Sequence, residues 1–217
     1  MPKNRLTNDI LKFEEQSQQQ GYRLILGIDE AGRGPLAGPV VAAAVALKDY
    51  HFEHNIRDSK QLTAQAREKA FHEILAKAYV GIGIISETAI DEINILQATF
   101  VAMTNAVWQL LSRVPERAVA PRNHKFIHLL VDGNRFKTDL PFSYRTIVDG
   151  DVHCFSISCA SIVAKVTRDR ILENYSKIFP QYGFAKHKGY PTREHRQAIQ
   201  KYGPSMIHRK TFQCRVD

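Results

Sequence analysis

Two adjacent acids, Asp29 and Glu30, stand where an apolar run ends. Leu24-Ile25-Leu26 before them reads as a buried strand, and Val40-Val41-Ala42-Ala43-Ala44-Val45-Ala46-Leu47 beyond them reads as another. A carboxylate at the end of a core strand is costly to bury alone. A divalent cation is the partner that makes two neighbouring carboxylates favourable. Between the strands lies Gly32-Arg33-Gly34-Pro35-Leu36-Ala37-Gly38-Pro39, a tight turn whose glycines let backbone N–H groups approach a ligand, with Arg33 projecting from it. The chemistry indicated is a metal at Asp29 and Glu30, with a phosphate-bearing polymer gripped by the turn. A solvated turn that holds acids by chance is the plainer reading, so the assignment needs a second carboxylate site.

The second half of the chain supplies one. Phe126-Ile127-His128-Leu129-Leu130-Val131 is an apolar strand that runs into Asp132-Gly133-Asn134-Arg135, repeating the order strand, acid, glycine, arginine. In open α/β sheets the groups that do chemistry collect at strand ends, so Asp132 can join Asp29 and Glu30. A further acid pair, Asp91-Glu92, opens a helical stretch, where the helix dipole accounts for it without chemistry. The nine histidines include His51-x-x-His54 but no His-Glu-x-x-His, which reads them as surface or phosphate-facing groups rather than metal ligands. Cys154, Cys159 and Cys214 form no Cys-x-x-Cys pair, so neither a disulfide framework nor a zinc site is indicated.

The elements that must position these groups alternate between strand and helix. A short packed helix is expected over 8–20, then the two strands around the turn as an antiparallel pair. Asp58-Ser59-Lys60 is a loop, and Thr63 is the N-cap of a helix reaching 78. A third strand follows over 79–85. A long helix is expected over 89–111, with Ile93, Leu96, Phe100, Val101, Val107 and Leu110 on its buried side. After the Asp132 strand come a fifth strand over 144–148, Asp149-Gly150-Asp151, and a helix over 157–175. Ser158, Ala160, Ser161 and Ala164 in that helix suit close packing on a sheet. Strands with long intervening helices make an α/β domain. The division expected is a main domain over 1–180 and a small helical appendage over 181–217, with a helix starting at Pro191-Thr192-Arg193-Glu194.

At 217 residues the chain has room for one sizeable core. No apolar run is long enough to span a bilayer and no signal-peptide core follows Met1, which points to the cytoplasm and away from membranes. Formal net charge is +8, and from Asn174 onward nine basic residues face two acids, so nearly all the excess sits in the last fifth. A basic segment on a nearly neutral body is the footprint expected of a nucleic-acid binder.

Six blocks, taken in order, resemble one family. They are Asp29-Glu30-Ala31-Gly32-Arg33-Gly34-Pro35, Asp58-Ser59-Lys60, Asn94-Ile95-Leu96-Gln97-Ala98-Thr99, Val131-Asp132-Gly133-Asn134, the run from Ser158-Cys159-Ala160-Ser161 to Lys165-Val166-Thr167-Arg168-Asp169, and His187-Lys188-Gly189-Tyr190-Pro191-Thr192. In order and spacing they resemble the bacterial type 2 ribonucleases H, the ribonuclease HII family, over 24–212. The resemblance implies a ribonuclease H-like fold, a mixed five-stranded sheet flanked by helices. It also implies divalent metal and endonucleolytic cleavage of RNA in RNA/DNA hybrids, including single ribonucleotides embedded in duplex DNA. Carried over by position, the family's acids fall on Asp29, Glu30, Asp132 and a fourth that is best matched by Asp151, with Asp149 and Asp169 as the alternatives. Its Gly-Arg-Gly element falls on Gly32, Arg33 and Gly34, and its junction-sensing tyrosine on Tyr190. Cys159 stands where alanine is usual.

Four clustered carboxylates would hold two divalent ions roughly 4 Å apart, the arrangement that supplies nucleophile, charge neutralisation and leaving-group stabilisation in phosphodiester hydrolysis. Hard oxygen ligands favour Mg2+ or Mn2+ over zinc. Telling RNA from DNA requires a group on the 2′-OH, a role for the backbone at Gly32, Arg33 and Gly34 and for Tyr190. Lys60, Lys165, Arg168, Lys186 and Lys188 are the candidate phosphate contacts. The expected protein is a monomer. The rival readings are a type 3 ribonuclease H, which usually has lysine at the Arg33 position and an extra N-terminal domain, a catalytically silent hybrid-binding protein, and a structural module whose acids only form turns.

Overall fold

Strand β1 (Leu24–Ala31) is buried along its first six residues, which is why it reads as continuous apolar sequence rather than as an alternation. A computed structural model of the chain describes residues 9–54, 56, 62–115 and 124–212. In it β1 is the middle strand of a five-stranded sheet with β2 (Val40–Leu47), β3 (Ala78–Ile85), β4 (Ile127–Asp132) and β5 (Ser143–Ile147), in the order β3-β2-β1-β4-β5. β1 pairs antiparallel with β2, and β2 with β3, whereas β1 with β4 and β4 with β5 are parallel. The expected mixed five-stranded sheet is the observed one.

Helices cover both faces. α4 (Ile95–Arg113) packs Ala98, Ala102, Ala106 and Leu110 on the face that carries Ala42, Ala44 and Ala46 of β2. α6 (Phe155–Ile178) packs Phe155, Cys159, Ala160 and Val163 on the opposite face, with Ala43 and Val45. Alternate residues of β2 thus serve two cores, as the two-residue period of a strand requires. The small side chains let the helices come close. At Gly27 a Cβ would lie 2.1 Å from the Ser156 carbonyl carbon, so α6 rests directly on the β1 backbone. Cys159 is fully buried among these apolar groups.

The other helices are α1 (Lys12–Gln19), α2 (Ala64–Lys77), α3 (Glu87–Ile93), α5 (Gly150–His153), α7 (Phe184–His187) and α8 (Arg193–Tyr202). Thr63 and Thr192 cap α2 and α8, their hydroxyls accepting from Ala66 N and His195 N. The single helix expected over 89–111 is two, α3 and α4. Asn94 separates them at φ 64 and its side chain accepts from Leu96 N and Gln97 N, so a residue tolerant of positive φ starts a second helix. The break turns Ile93 and Val101 outward, contrary to expectation, while Phe100, Val107 and Leu110 are buried. Asp91 is not in a first helical turn. It accepts from Lys210 N, Thr211 N and the Thr211 hydroxyl, tying down the end of the chain. Among the described residues no helix is long and apolar enough to cross a membrane.

The residues after 180 share a small core with the glycine turn, built from Tyr182, Phe184, Ala198 and Ile207 against Ala37 and Leu172. Two buried guanidinium groups complete the join. Arg168 donates to Pro39 O (3.0 Å), Ala37 O (3.0 Å) and Lys188 O (2.9 Å). Arg209 donates to Gly38 O (3.0 and 2.7 Å), Arg33 O (2.9 Å) and Gly32 O (2.5 Å). Arg168, expected to contact phosphate, is 1% exposed and spends its donors on the chain's own carbonyls. If the clamp holds the turn, Arg209→Met leaves buried carbonyls without donors and lowers stability by about 3 kcal/mol or more. Urea unfolding measures this, and a loss under about 1 kcal/mol would show the clamp to be dispensable.

Candidate active site

Parallel strands end at the same edge of a sheet, and the last β1–β4 partners are Ile28 and Val131. The next residues, Asp29 and Asp132, therefore stand side by side where β1 and β4 part, Asp29 still paired with β2 and Asp132 with β5. Ile28 and Val131 both face the α4 side, so alternation sends Asp29 and Asp132 toward α6. There the Ser161 hydroxyl hydrogen-bonds the Asp29 carboxylate. Asp29 Oδ1 also accepts from Glu30 N (2.6 Å), and Asp132 Oδ1 accepts from Gly150 N (2.7 Å). Glu30 Oε1 pairs with Arg33 Nη1 at 3.2 Å.

The carboxylates feel one another. Burial holds Asp29 well above the ordinary carboxylate range, and the charges of Glu30 and Asp132 push the same way. Burial raises Glu30 as well, against the pull of the Arg33 guanidinium. Asp29, Glu30 and Asp132 thus form one negative cluster although Asp132 comes a hundred residues later in the chain. Asp151 is buried in the first turn of α5, directly after the Gly150 amide that holds Asp132, and its carbonyl accepts from the Ser158 hydroxyl at 2.7 Å. Asp149 is exposed at φ 52, and Asp169 pairs with Lys165 at 2.8 Å.

Two open clefts meet at this edge with Glu30 and Arg33 as their common wall. One, of about 420 Å³, is lined by Gly32, Gly34, Arg67, Ser161, Lys165 and Tyr190. The other, of about 300 Å³, is lined by Asp132, Gly133, Asn134 and Arg135 with Phe100 and Met103 from α4. Gly32 has φ +99, and a Cβ there would lie 2.1 Å from Arg168 Nε, so only glycine fits between the clamp and the cleft. Tyr190 is half exposed, its ring beside Gly34.

Some expected site residues lie elsewhere. The Lys188 ammonium is bound to Glu173 (2.6 Å) and Ala185 O (2.8 Å), off both clefts, because the left-handed backbone at φ 51 turns its side chain toward α6. Lys186 is paired with Glu194. Lys60 lies outside the described residues. Sequence reasoning missed Arg67, Ser161 and the Arg209 clamp; Ser161 stood in a run read only as packing. His128, His187, His195 and His208 are buried, not surface groups.

A family model described as Ribonuclease HII matches residues 26–215. The chain belongs to the ribonuclease HII family. It is 49% identical over 204 residues to the ribonuclease HII of Syntrophus aciditrophicus, covering 94% of this chain and 90% of that one. It is 52% identical over 201 residues to that of Acetivibrio thermocellus, covering 92% and 73%. Among solved structures, the ribonuclease H2 of Pyrococcus horikoshii OT3 superposes with a TM-score of 0.66 at 26% identity, over 88% of this chain and 94% of that one. A Bst-RNase HIII in complex with Mn2+ superposes at 0.67 over 90% and 69%, and at 16% identity it shares the fold alone.

The crowding is testable without any ligand. Asp29 binds its proton more tightly folded than unfolded, so its ionised form destabilises the fold above that raised pKa, and the penalty disappears as pH falls through it. In chelator, Asp29→Asn should be more stable than the parent by on the order of 1 kcal/mol near neutral pH, with the gap closing toward about pH 4. A gap that stays constant or widens on acidification would contradict the cluster.

Proposed function

We propose that the chain cleaves the RNA strand of RNA/DNA hybrids endonucleolytically and nicks duplex DNA 5′ to single embedded ribonucleotides, leaving 3′-OH and 5′-phosphate ends. Asp29, Glu30, Asp132 and Asp151 are the metal-binding and catalytic acids. That the protein is a metal-dependent ribonuclease H acting on hybrids goes with its family. The observation that carries the finer reading is the meeting of Asp29, Glu30 and Asp132 at one sheet edge, where Glu30 and Arg33 join the cleft lined by Asp132 to the one lined by Gly32, Gly34 and Tyr190.

The donor set fits hard divalent ions. It consists of carboxylate oxygens, and the repulsion that raises Asp29 is what a cation would relieve. Among the described residues no three such side chains already close into a ligand cage, since Glu30 is held by Arg33 and Asp132 by the Gly150 amide. Bound there, Mg2+ or Mn2+, as a pair of ions, would activate water and neutralise charge at the scissile phosphate.

The chain's own groups bind and orient the polymer. Arg209 engages the Gly32 and Arg33 carbonyls from the buried side. In a trans peptide the N–H points opposite to the C=O, so the Arg33 and Gly34 amides face away from Arg209, toward the cleft where a 2′-OH can be read. Tyr190 supports the same discrimination from across Gly34. Lys165 and Arg33 offer positive charge to flanking phosphates. In this reading residues 1–180 perform the hydrolysis and 181–217 supply Tyr190 and basic surface. The protein acts as a cytoplasmic monomer in removing misincorporated ribonucleotides and RNA primers.

A duplex with one ribonucleotide, incubated with Mn2+, should be nicked on the 5′ side of that residue. Asp132→Asn should lower the rate by about 100-fold or more with the fold intact by circular dichroism. Near-parental cleavage by that variant would remove Asp132 from the metal site. Tyr190→Ala should slow nicking at the lone ribonucleotide more than it weakens duplex binding, and equal losses would reject its sensing role.

A further inference from the structure

Three histidines that the carboxylate chemistry leaves unused meet beneath Tyr190. His187 ends α7, His195 lies in the first turn of α8, and His208 bridges to Ala37; all three are buried. The His187 and His195 rings stack with centroids 4.3 Å apart, and His195 Nε2 lies 3.0 Å from His208 Nε2.

Their partners fix every proton. His208 Nδ1 faces the Ser205 N–H at 2.8 Å, a group that can only donate, so this nitrogen is bare and the ring proton is on Nε2. That proton goes to His195 Nε2, which leaves the His195 proton on Nδ1, where it is donated to the Tyr190 carbonyl at 2.9 Å. His187 Nδ1 accepts from Gly189 N at 3.2 Å, and its Nε2 donates to Tyr182 O at 2.6 Å. Each ring is neutral in a single tautomer. Burial favours that state in all three by lowering their pKa values, that of His195 to about 4.

The segment they support is the turn between α7 and α8. Lys188 and Gly189 both have positive φ, at 51 and 82, and the half-exposed Tyr190 ring depends on its backbone for its place beside Gly34. At Tyr190 itself the backbone N donates to His187 O (2.9 Å), and the carbonyl accepts from Thr192 N (2.8 Å) and from His195 Nδ1, the one side-chain donor it has among the described residues. We infer that His195 is a positioning residue for Tyr190, the last link of a hydrogen-bond relay from Ser205 through His208 that sets how the enzyme discriminates a lone ribonucleotide. This rests on the reading of Tyr190 as a substrate contact.

The test is a pair of substitutions in two backgrounds, read as nicking of a duplex with one ribonucleotide and as affinity for that duplex. His195→Phe keeps the ring stack and loses both nitrogens. It should cut nicking about 10-fold while affinity stays within about twofold. His195→Asn, which keeps a donor near Nδ1, should recover most of the loss. In Tyr190→Ala, His195→Phe should add less than about a twofold further loss, because the two act through one group. Losses that multiply, or fall equally on nicking and affinity, overturn the relay. Failure of the underlying reading is separately visible, since Tyr190→Ala alone would then leave nicking unchanged. If His195→Phe does not fold, long-range 15N–1H spectra of the unsubstituted protein decide. Protons on His195 Nδ1 and His208 Nε2 support the relay, and any other tautomers overturn it.

Discussion

Two buried positive charges hold together the turn beside the acidic edge. Arg168 and Arg209 are 1% and 2% exposed, and between them they donate to five carbonyls of the glycine turn, those of Gly32, Arg33, Ala37, Gly38 and Pro39. Burying a guanidinium is expensive, and burying two close together more so. Burial lowers Arg209 to about 10, and the nearby Arg168 pushes it the same way, but it remains charged at neutral pH. The cost is offset by charge-assisted bonds to carbonyls that would otherwise be unpaired, and by the buried Glu87 carboxyl, whose charge favours both cations. Only arginine has a planar fork able to serve several carbonyls at once, so lysine would not substitute at either position.

The clamp lies behind the turn and the carboxylates lie in front of it. The edge of β1 is therefore an electrostatic compromise. Buried acids that repel one another weaken the fold, and the packing beneath them compensates through the α6 backbone lying on Gly27 and alanines filling both faces of β2. Arg33 partly relieves Glu30 while also lining both clefts, so one side chain both offsets the acids and shapes the open surface beside them. The basic C-terminal segment is partly spent in the same way. Arg209 is clamped, and Lys186 and Lys188 are ion-paired, leaving Arg193, Lys201 and Lys210 among its exposed charges.

Asp29 and Asp132 were legible because each directly follows an apolar strand, a local signal that survives without knowledge of the fold, whereas Asp151 had no such signal. The five strands, the Thr63 cap and the helix start at Pro191-Thr192-Arg193-Glu194 were legible from local signals too. What was not legible depends on partners distant in sequence. Arg168 reads as a phosphate ligand until carbonyls 129 and 131 positions away are placed beside it. Asp91 reads as a helix-start acid until Lys210 and Thr211 arrive. The break at Asn94 was hidden because apolar periodicity runs through it. The surface reading of the histidines holds for His51, His72, His124 and His153 but not for the buried ones, since no spacing rule shows that His187, His195 and His208 converge in the core.

The topology leaves little freedom over where such a site can form. β2 pairs antiparallel with β1, so the edge where β1 ends is where β2 begins, and an acid closing β2 would lie at the far side of the sheet. Among the neighbours of β1, only parallel β4 delivers its C-terminal residue to the same edge, and Asp132 is that residue. The strand partner thus decides which distant acid joins Asp29, while much of the remaining cleft lining comes from connections. The Gly-Arg-Gly turn leaves β1, α5 follows β5, and Tyr190 is carried in on the segment between α7 and α8. Connections are mobile unless fastened, which is why the turn requires Arg168 and Arg209 and why Tyr190 rests on a stack of neutral imidazoles.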